Sequence, residues 1–574
     1  MHTRHMASQA TGTGVHGTGL AISVKQQPFH FVLQPLWRVL LFVALVSATY
    51  VLMTEGSGIP IAHAETIFRA ASANTAVLTC KYDDFRTGQN PNETILNESN
   101  VNSSHFGKHV SYPVDGNVYA QPLYAPNLTI GGHVHNVVFV ATEHDSVYAF
   151  DADARSTIAP LWHSSFINPS HGITTISSSV QNCGNISPEY GITGTPVIDA
   201  NSNTLYVVAS TEENGSFFQR LHALDILTGN EKPGSPVAIK AAVKGTGDGS
   251  INGVVHFDPF QHLQRPGLLL LNGVVYIAFG SHCDHNPYHG WVMGYTASTL
   301  QKASNAVWNS TRNAGQGAIW QSGGGLAADA SGNIYFMTGN GNFDANNGGR
   351  DFGDTLVKLA TTTGLRVSDY FTPFNQQCLN GGDIDLGSGA PVLLPTSNEI
   401  VAIGKEGRIY VVSRTNMGKF TSINNPCNNQ NLTNVDKVLQ EFAPGTIAGG
   451  AFSTPVYWNG SIGEQVFTAG ASDHVKAYKL SGGLLSSSPT SQTPESFSFH
   501  GCNPVVSSNG TAAQTGVLWV IDPSSVLRAY AADNLGRELF NSRLPSYVTF
   551  STPTVTNGEV FIGTSSTLEI YGLL

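Results

Sequence analysis

Short apolar runs separated by polar turns recur along most of the chain. Each unit starts at a small or polar residue beside proline or glycine, and continues through apolar runs rich in β-branched residues. The clearest copy has Thr195-Pro196-Val197, then Leu205-Tyr206-Val207-Val208, then Leu221-His222-Ala223-Leu224-Asp225. Within the runs apolar and polar positions alternate, which is typical of β-strands. The pattern therefore predicts antiparallel units joined by tight turns.

The unit occurs eight times. Its starts lie at Gln121-Pro122-Leu123, Thr195-Pro196-Val197, Arg265-Pro266-Gly267, Gly324-Gly325-Leu326, Ala390-Pro391-Val392, Thr454-Pro455-Val456, Asn503-Pro504-Val505 and Thr552-Pro553-Thr554. A repeat of roughly 50 to 75 residues indicates propeller blades or solenoid turns. We predict an all-β fold, an eight-bladed β-propeller of four-stranded antiparallel blades. Seven blades is the alternative if the fourth or fifth unit is not a blade.

The two ends of the repeat region predict how the ring closes. The last unit stops after its third strand, at Tyr571-Gly572-Leu573-Leu574, and an open sheet edge is unfavourable. Residues 106–112, which precede the first unit, can supply the missing strand. We therefore expect a single propeller over residues 106–574, closed by an N-terminal strand and preceded by an extended segment over residues 65–105.

The N-terminus has the features of an export signal. Arg4, Lys25 and Arg38 are basic, no acidic residue precedes position 39, and an apolar run follows over residues 39–53. This run is shorter than the about 20 residues of a membrane span. Ala62-His63-Ala64 resembles a cleavage site. We predict a leader over residues 1–64, either cleaved or retained as a signal anchor, and a secreted, periplasmic or cell-surface location.

Composition narrows the function classes. Charged residues make up only 12% of the chain and the formal net charge is −11, with no basic stripe, which argues against nucleic-acid binding. The six cysteines are neither adjacent nor in a Cys-x-x-Cys pattern, so a thiolate metal site is not expected. Disulfides are possible in an exported chain, but the sequence does not choose among the fifteen pairings of six cysteines.

Three long segments between second and third strands carry candidate chemistry. They cover residues 210–220, 280–290 and 339–354, and in a propeller such loops open on one face. The polar residues of the last two segments are His282, Asp284, His285, His289, Asn340, Asn342, Asp344, Arg350, Asp351 and Asp354. Carboxylates, amides and imidazoles at one mouth suit a hard cation or a polar substrate. The alternative is that these are solvated turns.

Several motifs resemble the quinoprotein alcohol dehydrogenases and their PQQ-repeat relatives, where PQQ is pyrroloquinoline quinone. The element Ala223–Gly229, with Asp225 and Thr228-Gly229, is similar to the family's blade-docking motif. Ser281-His282-Cys283-Asp284 and Pro287-Tyr288-His289-Gly290-Trp291 resemble elements of uncharacterised bacterial PQQ-repeat proteins. The resemblance runs from about residue 106 to the C-terminus.

The resemblance implies a set of site residues. Asp284 or His285 falls at the position of the first Ca²⁺ ligand, and Asn340, in Thr338-Gly339-Asn340-Gly341, at that of the second. Asp385, in Asp383-Ile384-Asp385-Leu386-Gly387, matches the catalytic Asp, which also binds the cation. Lys405 matches the basic residue that contacts the quinone oxygens. The cofactor-binding candidates are Lys405, Asn340 and Trp320; the metal candidates are Asp284, His285, Asn340 and Asp385.

The sequence also departs from this family. It has no adjacent cysteines and no Cys-x-x-Cys-His haem motif, and Trp320 stands several residues before the position of the family's floor Trp. The resemblance implies a PQQ- and Ca²⁺-dependent dehydrogenase for an alcohol or sugar hydroxyl, with an external electron acceptor. The first alternative is a non-catalytic propeller that binds a protein or glycan at the cell envelope. The second is a hydrolase or lyase with another metal at His282, His285 and His289.

Overall fold

Each predicted repeat folds into one antiparallel sheet, and the eight sheets are arranged as propeller blades. The structure is a computed structural model that describes residues 75–574. Side chains alternate between the two faces of a sheet, and here each face of a blade packs against one of its two neighbouring blades. The eight largest groups of buried apolar side chains each lie between two neighbouring blades, including blades 8 and 1. The predicted eight-bladed ring is therefore confirmed.

Each of blades 1 to 4 has four strands, ordered from the channel outward. Those of blade 1 span Leu123–Ile130, His133–Thr142, Ser146–Asp151 and Trp162–Ser165; those of blade 2, Val197–Asp199, Thr204–Glu213, Ser216–Asp225 and Val237–Ala238. Those of blade 3 span Leu269–Leu271, Val274–Phe279, Trp291–Thr296 and Lys302–Asn309; those of blade 4, Ala327–Ala328, Asn333–Met337, Leu356–Ala360 and Arg366–Thr372.

Blades 5 to 8 repeat the arrangement. The strands of blade 5 span Val392–Leu393, Glu399–Ile403, Ile409–Ser413 and Gln440–Glu441; those of blade 6, Val456–Gly460, Gly463–Ala469, Val475–Ser481 and the short outer strands Leu484–Leu485 and Ser491–Gln492. Those of blade 7 span Val505–Ser507, Val517–Asp522, Val526–Ala531 and Glu538–Arg543; those of blade 8, Thr554–Thr556, Glu559–Gly563, Thr567–Leu573 and Phe106–Pro113.

The remaining elements are short and lie in the connections. Further strands are Gln89–Asn90, Ile173–Ser177, Glu189–Tyr190, Ala242–Lys244, Val254–His256 and Lys419–Phe420. The α-helices span Ser178–Gln181 and Gln376–Gly381, and the 3-10 helices Pro169–His171, Ala345–Asn347, Leu386–Ser388 and Pro426–Asn428. None of the helices in residues 75–574 is long and apolar enough to cross a membrane. The predicted leader lies outside the described residues.

The ring closes as predicted, by an N-terminal strand. Phe106–Pro113 pairs antiparallel with Thr567–Leu573, with Phe106 opposite Leu573 and Pro113 opposite Thr567. Phe106 is buried against Trp519 and Phe540 of blade 7. The open edge of the last repeat is thereby covered.

Residues 77–90 contact the innermost strand region of every blade and so lie along the central channel. Arg86 is fully buried and donates hydrogen bonds to the carbonyl groups of Leu326 and Leu268. The blade residues that the segment hydrogen-bonds are, in blade order, Tyr124, Ile198, Leu268, Ala328, Leu393, Tyr457, Val506 and Val555. Residues 77–90 of the segment predicted as extended thus follow the channel, and residues 91–105 lead to the closing strand at the outer edge of blade 8.

Two disulfides crosslink the segments that connect strands. Cys183 pairs with Cys283, and Cys378 with Cys427, while Cys80 and Cys502 are buried free thiols. The prediction of a long loop over residues 210–220 is wrong: these residues form a regular hairpin in which Ser210 pairs with Gln219 and Glu213 with Ser216. Asn214 and Gly215, both with positive φ, make the turn.

Candidate functional site

A cavity of about 370 Å³ lies where the segments that lead into the innermost strands converge. Its lining comes mainly from the segments before blades 2 to 8, and from the loops between second and third strands of blades 3 and 5. The lining residues are Gly184, Asn185, Arg265, Asp284, Trp320, Ser322, Asp385, Ser388, Lys405, Phe452, His500, Thr549 and Phe550. Four of the residues predicted from the sequence, Asp284, Trp320, Asp385 and Lys405, therefore line one cavity.

Asp385 is held by contacts to both carboxylate oxygens. It precedes the 3-10 helix Leu386–Ser388, and its Oδ1 accepts the backbone N–H of Asn340 at 2.7 Å. Its Oδ2 lies 2.5 Å from Lys405 Nζ. Gly339 makes this approach possible, because a Cβ there would lie 2.2 Å from Asp385 Oδ1. The Gly-Asn turn singled out in the sequence thus positions a carboxylate from the next blade.

Asn340 has an unused acceptor. Its Nδ2 donates to Asp383 Oδ1 at 2.8 Å, whereas its Oδ1 is buried and has no hydrogen-bond partner among the described residues. A buried polar atom without a partner is rare and costly. This oxygen lies on a residue bonded to both Asp383 and Asp385, so it is suited to bind a cation.

Negative charge is concentrated around a single lysine. Tyr288 donates a hydrogen bond to Asp284 at 2.8 Å, yet desolvation, together with the charges of Asp385 and Asp383, raises the pKa of Asp284. Burial beside Asp385 also raises the pKa of Asp354 well above its usual value. Burial alone would lower the pKa of Lys405, but Asp385 and Asp383 raise it overall. A bound cation would relieve the remaining repulsion between the carboxyl groups.

Aromatic rings form two walls of the cavity. Trp320 is half-buried, and its ring fits close to Gly280 and Gly339, where a Cβ would lie 3.0 and 3.1 Å from ring atoms. Phe452, His500 and Phe550, which also line the cavity, pack together with ring centroids 5.2 to 6.3 Å apart. Flat apolar walls with polar groups between them are suited to a planar ligand.

Arg265 is the main site residue that the sequence analysis missed. Its guanidinium group lies 4.5 Å from the ring centroid of Phe550 and makes no hydrogen bond or ion pair within residues 75–574. Burial lowers its pKa, as the side chain is largely removed from solvent. Glu143 lies near enough to act on this charge but forms no ion pair with it. A largely buried cation without a direct ion pair at a cavity wall is suited to bind an anion. In the sequence it marked only the start of the third repeat.

Other predicted residues lie apart from the cavity. His285 does not line it. His289 is buried and uses both ring nitrogens, toward Thr311 Oγ1 at 2.9 Å and the Asp248 carbonyl at 3.0 Å. His282 packs edge-on against Tyr190. Across residues 75–574 no three His, Cys, Asp or Glu residues form a metal-binding group, and this holds for the histidines and for the carboxyl groups around Lys405 alike.

The Cys183–Cys283 disulfide stabilises one side of the cavity. The residues that follow each cysteine, Gly184 with Asn185 and Asp284, line the cavity, and the two cysteine Cα atoms are 5.7 Å apart. The crosslink therefore joins a segment before blade 2 to the loop of blade 3 that carries Asp284.

Comparison with known proteins shows the fold only. No family model and no curated protein matches the chain. The quinohemoprotein alcohol dehydrogenase of Comamonas testosteroni has a TM-score of 0.53 at 16% identity, over 88% of this chain and 81% of that one. A quinohemoprotein alcohol dehydrogenase of Pseudomonas putida HK5 has a TM-score of 0.54 at 14% identity, over 87% and 80%. A europium-containing methanol dehydrogenase has a TM-score of 0.56 at 13% identity, over 87% and 98%.

Proposed function

We propose that the protein is a dehydrogenase that uses PQQ and a divalent cation, preferably Ca²⁺, to oxidise an alcohol or sugar hydroxyl. The observation that carries the proposal is the convergence of Asp284, Trp320, Asp385 and Lys405 on one cavity, with Arg265 unpaired at its wall. Solved alcohol and methanol dehydrogenases with the same fold support it. Fold similarity alone would not, since propellers carry many functions.

The side chains present fit the proposed cofactors. Ca²⁺ prefers carboxylate and amide oxygens, and Asp284, Asp385 and the unpartnered Oδ1 of Asn340 provide them. PQQ is a planar tricarboxylate, for which Arg265 and Lys405 provide cationic partners and Trp320 and Phe550 provide flat surfaces. When bound, PQQ would supply a two-electron acceptor, and Ca²⁺ would act as a Lewis acid.

Asp385 is the proposed general base. Its carboxylate lines the cavity and is fixed by the Asn340 N–H group and the Lys405 ammonium group, so it needs little reorganisation to accept a hydroxyl proton. Lys405, whose pKa is raised, stays protonated near neutral pH and stabilises negative charge that develops beside it.

The test is a cofactor-binding titration of the purified chain without residues 1–64. PQQ is added with Ca²⁺ and followed by absorbance and fluorescence, and the complex is then treated with EDTA. The proposal predicts saturable binding that EDTA reverses and that Asp385→Ala and Asn340→Ala abolish. A matched control is Asp473→Ala, which removes a carboxylate bound to a lysine in blade 6, outside the cavity. Absence of binding, or equal loss in the control, would refute the proposal and favour a protein- or glycan-binding scaffold.

A further inference from the structure

A second cavity, of about 390 Å³, is formed by connecting segments of blades 4 and 5. We call it the amide cleft. It is lined by the loop of blade 4 with Asn342 and Phe343, by the helix Gln376–Gly381, and by the segment that follows Lys419–Phe420. Its volume is in the range of about 300 to 1,000 Å³ that is typical of small-molecule sites.

The chemistry of the amide cleft is unusually uniform. No lining residue carries a charge, and six of them are Asn or Gln: Asn342, Asn346, Asn347, Gln376, Gln377 and Asn380. Asn346, Asn347 and Gln377 are exposed and Asn380 is half-buried, and their side-chain amides make no hydrogen bond to another described residue. Each amide offers both donors and acceptors, which matches a hydroxyl group that donates and accepts. The free groups therefore favour a neutral ligand with several hydroxyl groups.

Aromatic rings supply the apolar part of the cleft. Phe343 and Phe420 are half-buried, with ring centroids 5.1 Å apart and planes inclined by 50°. Phe374, which also lines the cleft, is buried. The C–H faces of a pyranose ring pack on such surfaces, while its hydroxyl groups point to the amides. Ligands with a full charge have no counter-ion in this lining, which makes their desolvation unfavourable.

The cleft is held in place by covalent and polar contacts. The Cys378–Cys427 disulfide joins the helix that carries Gln377 and Asn380 to the 3-10 helix Pro426–Asn428. Gln376 Nε2 donates to the Gly341 carbonyl at 2.8 Å, which fixes the helix to the blade 4 loop. Because the walls are crosslinked before a ligand arrives, little ordering is needed on binding.

We propose that the amide cleft is a binding site for a neutral saccharide, such as a hexose unit or a short uncharged glycan. The site does not depend on the proposed dehydrogenase activity, because none of its lining residues lines the first cavity. A protein of either proposed kind, enzyme or scaffold, could use it to attach to a glycan.

The test measures saccharide binding without PQQ or added metal. Neutral sugars (glucose, galactose, mannose, N-acetylglucosamine, maltose and cellobiose) are compared with glucuronate and glucosamine by saturation-transfer NMR and calorimetry. The test variant is Gln377→Ala with Asn380→Ala; alanine favours the helix that holds both residues, so the fold is expected to remain. The matched control is Asn424→Ala, an exposed amide nearby that does not line the cleft.

The proposal predicts saturable binding of at least one neutral sugar, at least fivefold weaker in the double variant and unchanged in Asn424→Ala. If circular dichroism shows that the double variant is unfolded, Asn346→Ala takes its place with the same expected loss. The proposal is overturned if no neutral sugar reaches saturation, if the cleft variants bind as well as the native protein, or if glucuronate binds equally well. Because no cofactor is present, these outcomes do not affect the dehydrogenase proposal.

Discussion

Replacing Lys405 by methionine tests the charge arrangement of the first cavity. Lys405 Nζ lies 2.5 Å from Asp385 Oδ2 and 3.1 Å from Asp383 Oδ1. The Asp385 side chain is 8% exposed and that of Lys405 is 24% exposed, so the pair is mostly shielded from water. Methionine keeps much of the volume and removes the charge. The variant therefore leaves several carboxyl groups facing each other without a cation.

The size of the effect follows from this burial. Removing one partner of a fully buried ion pair costs about 3 to 5 kcal/mol. Lys405 is partly exposed, so we expect Lys405→Met to lower the free energy of unfolding by about 2 kcal/mol. If Ca²⁺ binds among the same carboxylates, it replaces the lost positive charge. A ligand at about 100 times its dissociation constant stabilises the folded state by about 2.7 kcal/mol, so saturating Ca²⁺ should restore most of the loss.

The assay is urea unfolding with and without Ca²⁺, and Lys476→Met is the matched control. Lys476 Nζ lies 2.6 Å from Asp473, whose carboxylate also accepts a backbone N–H, but this pair lies in blade 6 away from the cavity. Both variants should be destabilised, and Ca²⁺ should restore only Lys405→Met. Equal restoration of both, or none for Lys405→Met, would refute the inference that the carboxylates around Lys405 form a cation site.

Three further variants test separate parts of the structure. Burial raises the pKa of Glu143 from 4.5 to about 7, so ionisation of this group destabilises the folded state as the pH rises through this range. Between pH 4.5 and about pH 8, the free energy of unfolding of Glu143→Gln should therefore rise by about 3 kcal/mol relative to that of the native protein. A difference that stays constant with pH would contradict this. Gly339→Ala should displace Asp385 and abolish stabilisation by Ca²⁺ in thermal unfolding. Gly381→Ala, which has open space around its added Cβ, should keep that stabilisation. A normal Ca²⁺ response of Gly339→Ala would show that the close approach of Gly339 to Asp385 is unimportant. Arg265→Met should weaken PQQ binding at least tenfold in a fluorescence titration while leaving Ca²⁺ binding intact, and unchanged PQQ affinity would remove Arg265 from the site.

The fold could be predicted because it depends on a local pattern repeated along the chain. Each blade starts at a turn beside proline or glycine and continues through short, mostly apolar strands that are buried on both faces, as in Ile409–Ser413. The closing strand Phe106–Pro113 could be predicted because the last repeat lacks one strand. The hairpin over residues 204–225 was misjudged, since polar residues such as Thr211 and Gln219 suggested a loop, although they are buried in paired strands.

The path of residues 75–105 could not be predicted. The segment has no repeat, and its contacts are backbone hydrogen bonds to strands that are distant in sequence, such as Thr87 with Tyr457. The same holds for the disulfides, because Cys183 and Cys283 meet only when blades 2 and 3 are side by side. Contacts of this kind depend on the closed ring rather than on any local pattern.

The candidate site was predicted in part. Asp284, Asn340, Asp385 and Lys405 were found through motifs at turns, and the structure brings three of them to one cavity with Asn340 directly behind Asp385. Arg265 and the wall of Phe452, His500 and Phe550 had no motif. Each comes from a different blade, so only the ring geometry shows that they lie together. The functional roles of all these residues stay predictions.

The most direct test of the proposed activity is reduction of an artificial electron acceptor by the protein loaded with PQQ and Ca²⁺. A panel of alcohols and sugars is supplied, and the decrease in dye absorbance is followed for the native protein and for Asp385→Asn, which keeps the shape of the side chain. We predict substrate-dependent dye reduction that requires both cofactors and falls at least a hundredfold in the variant. Dye reduction that is equal in Asp385→Asn, or absent with every substrate although PQQ and Ca²⁺ bind, would contradict it.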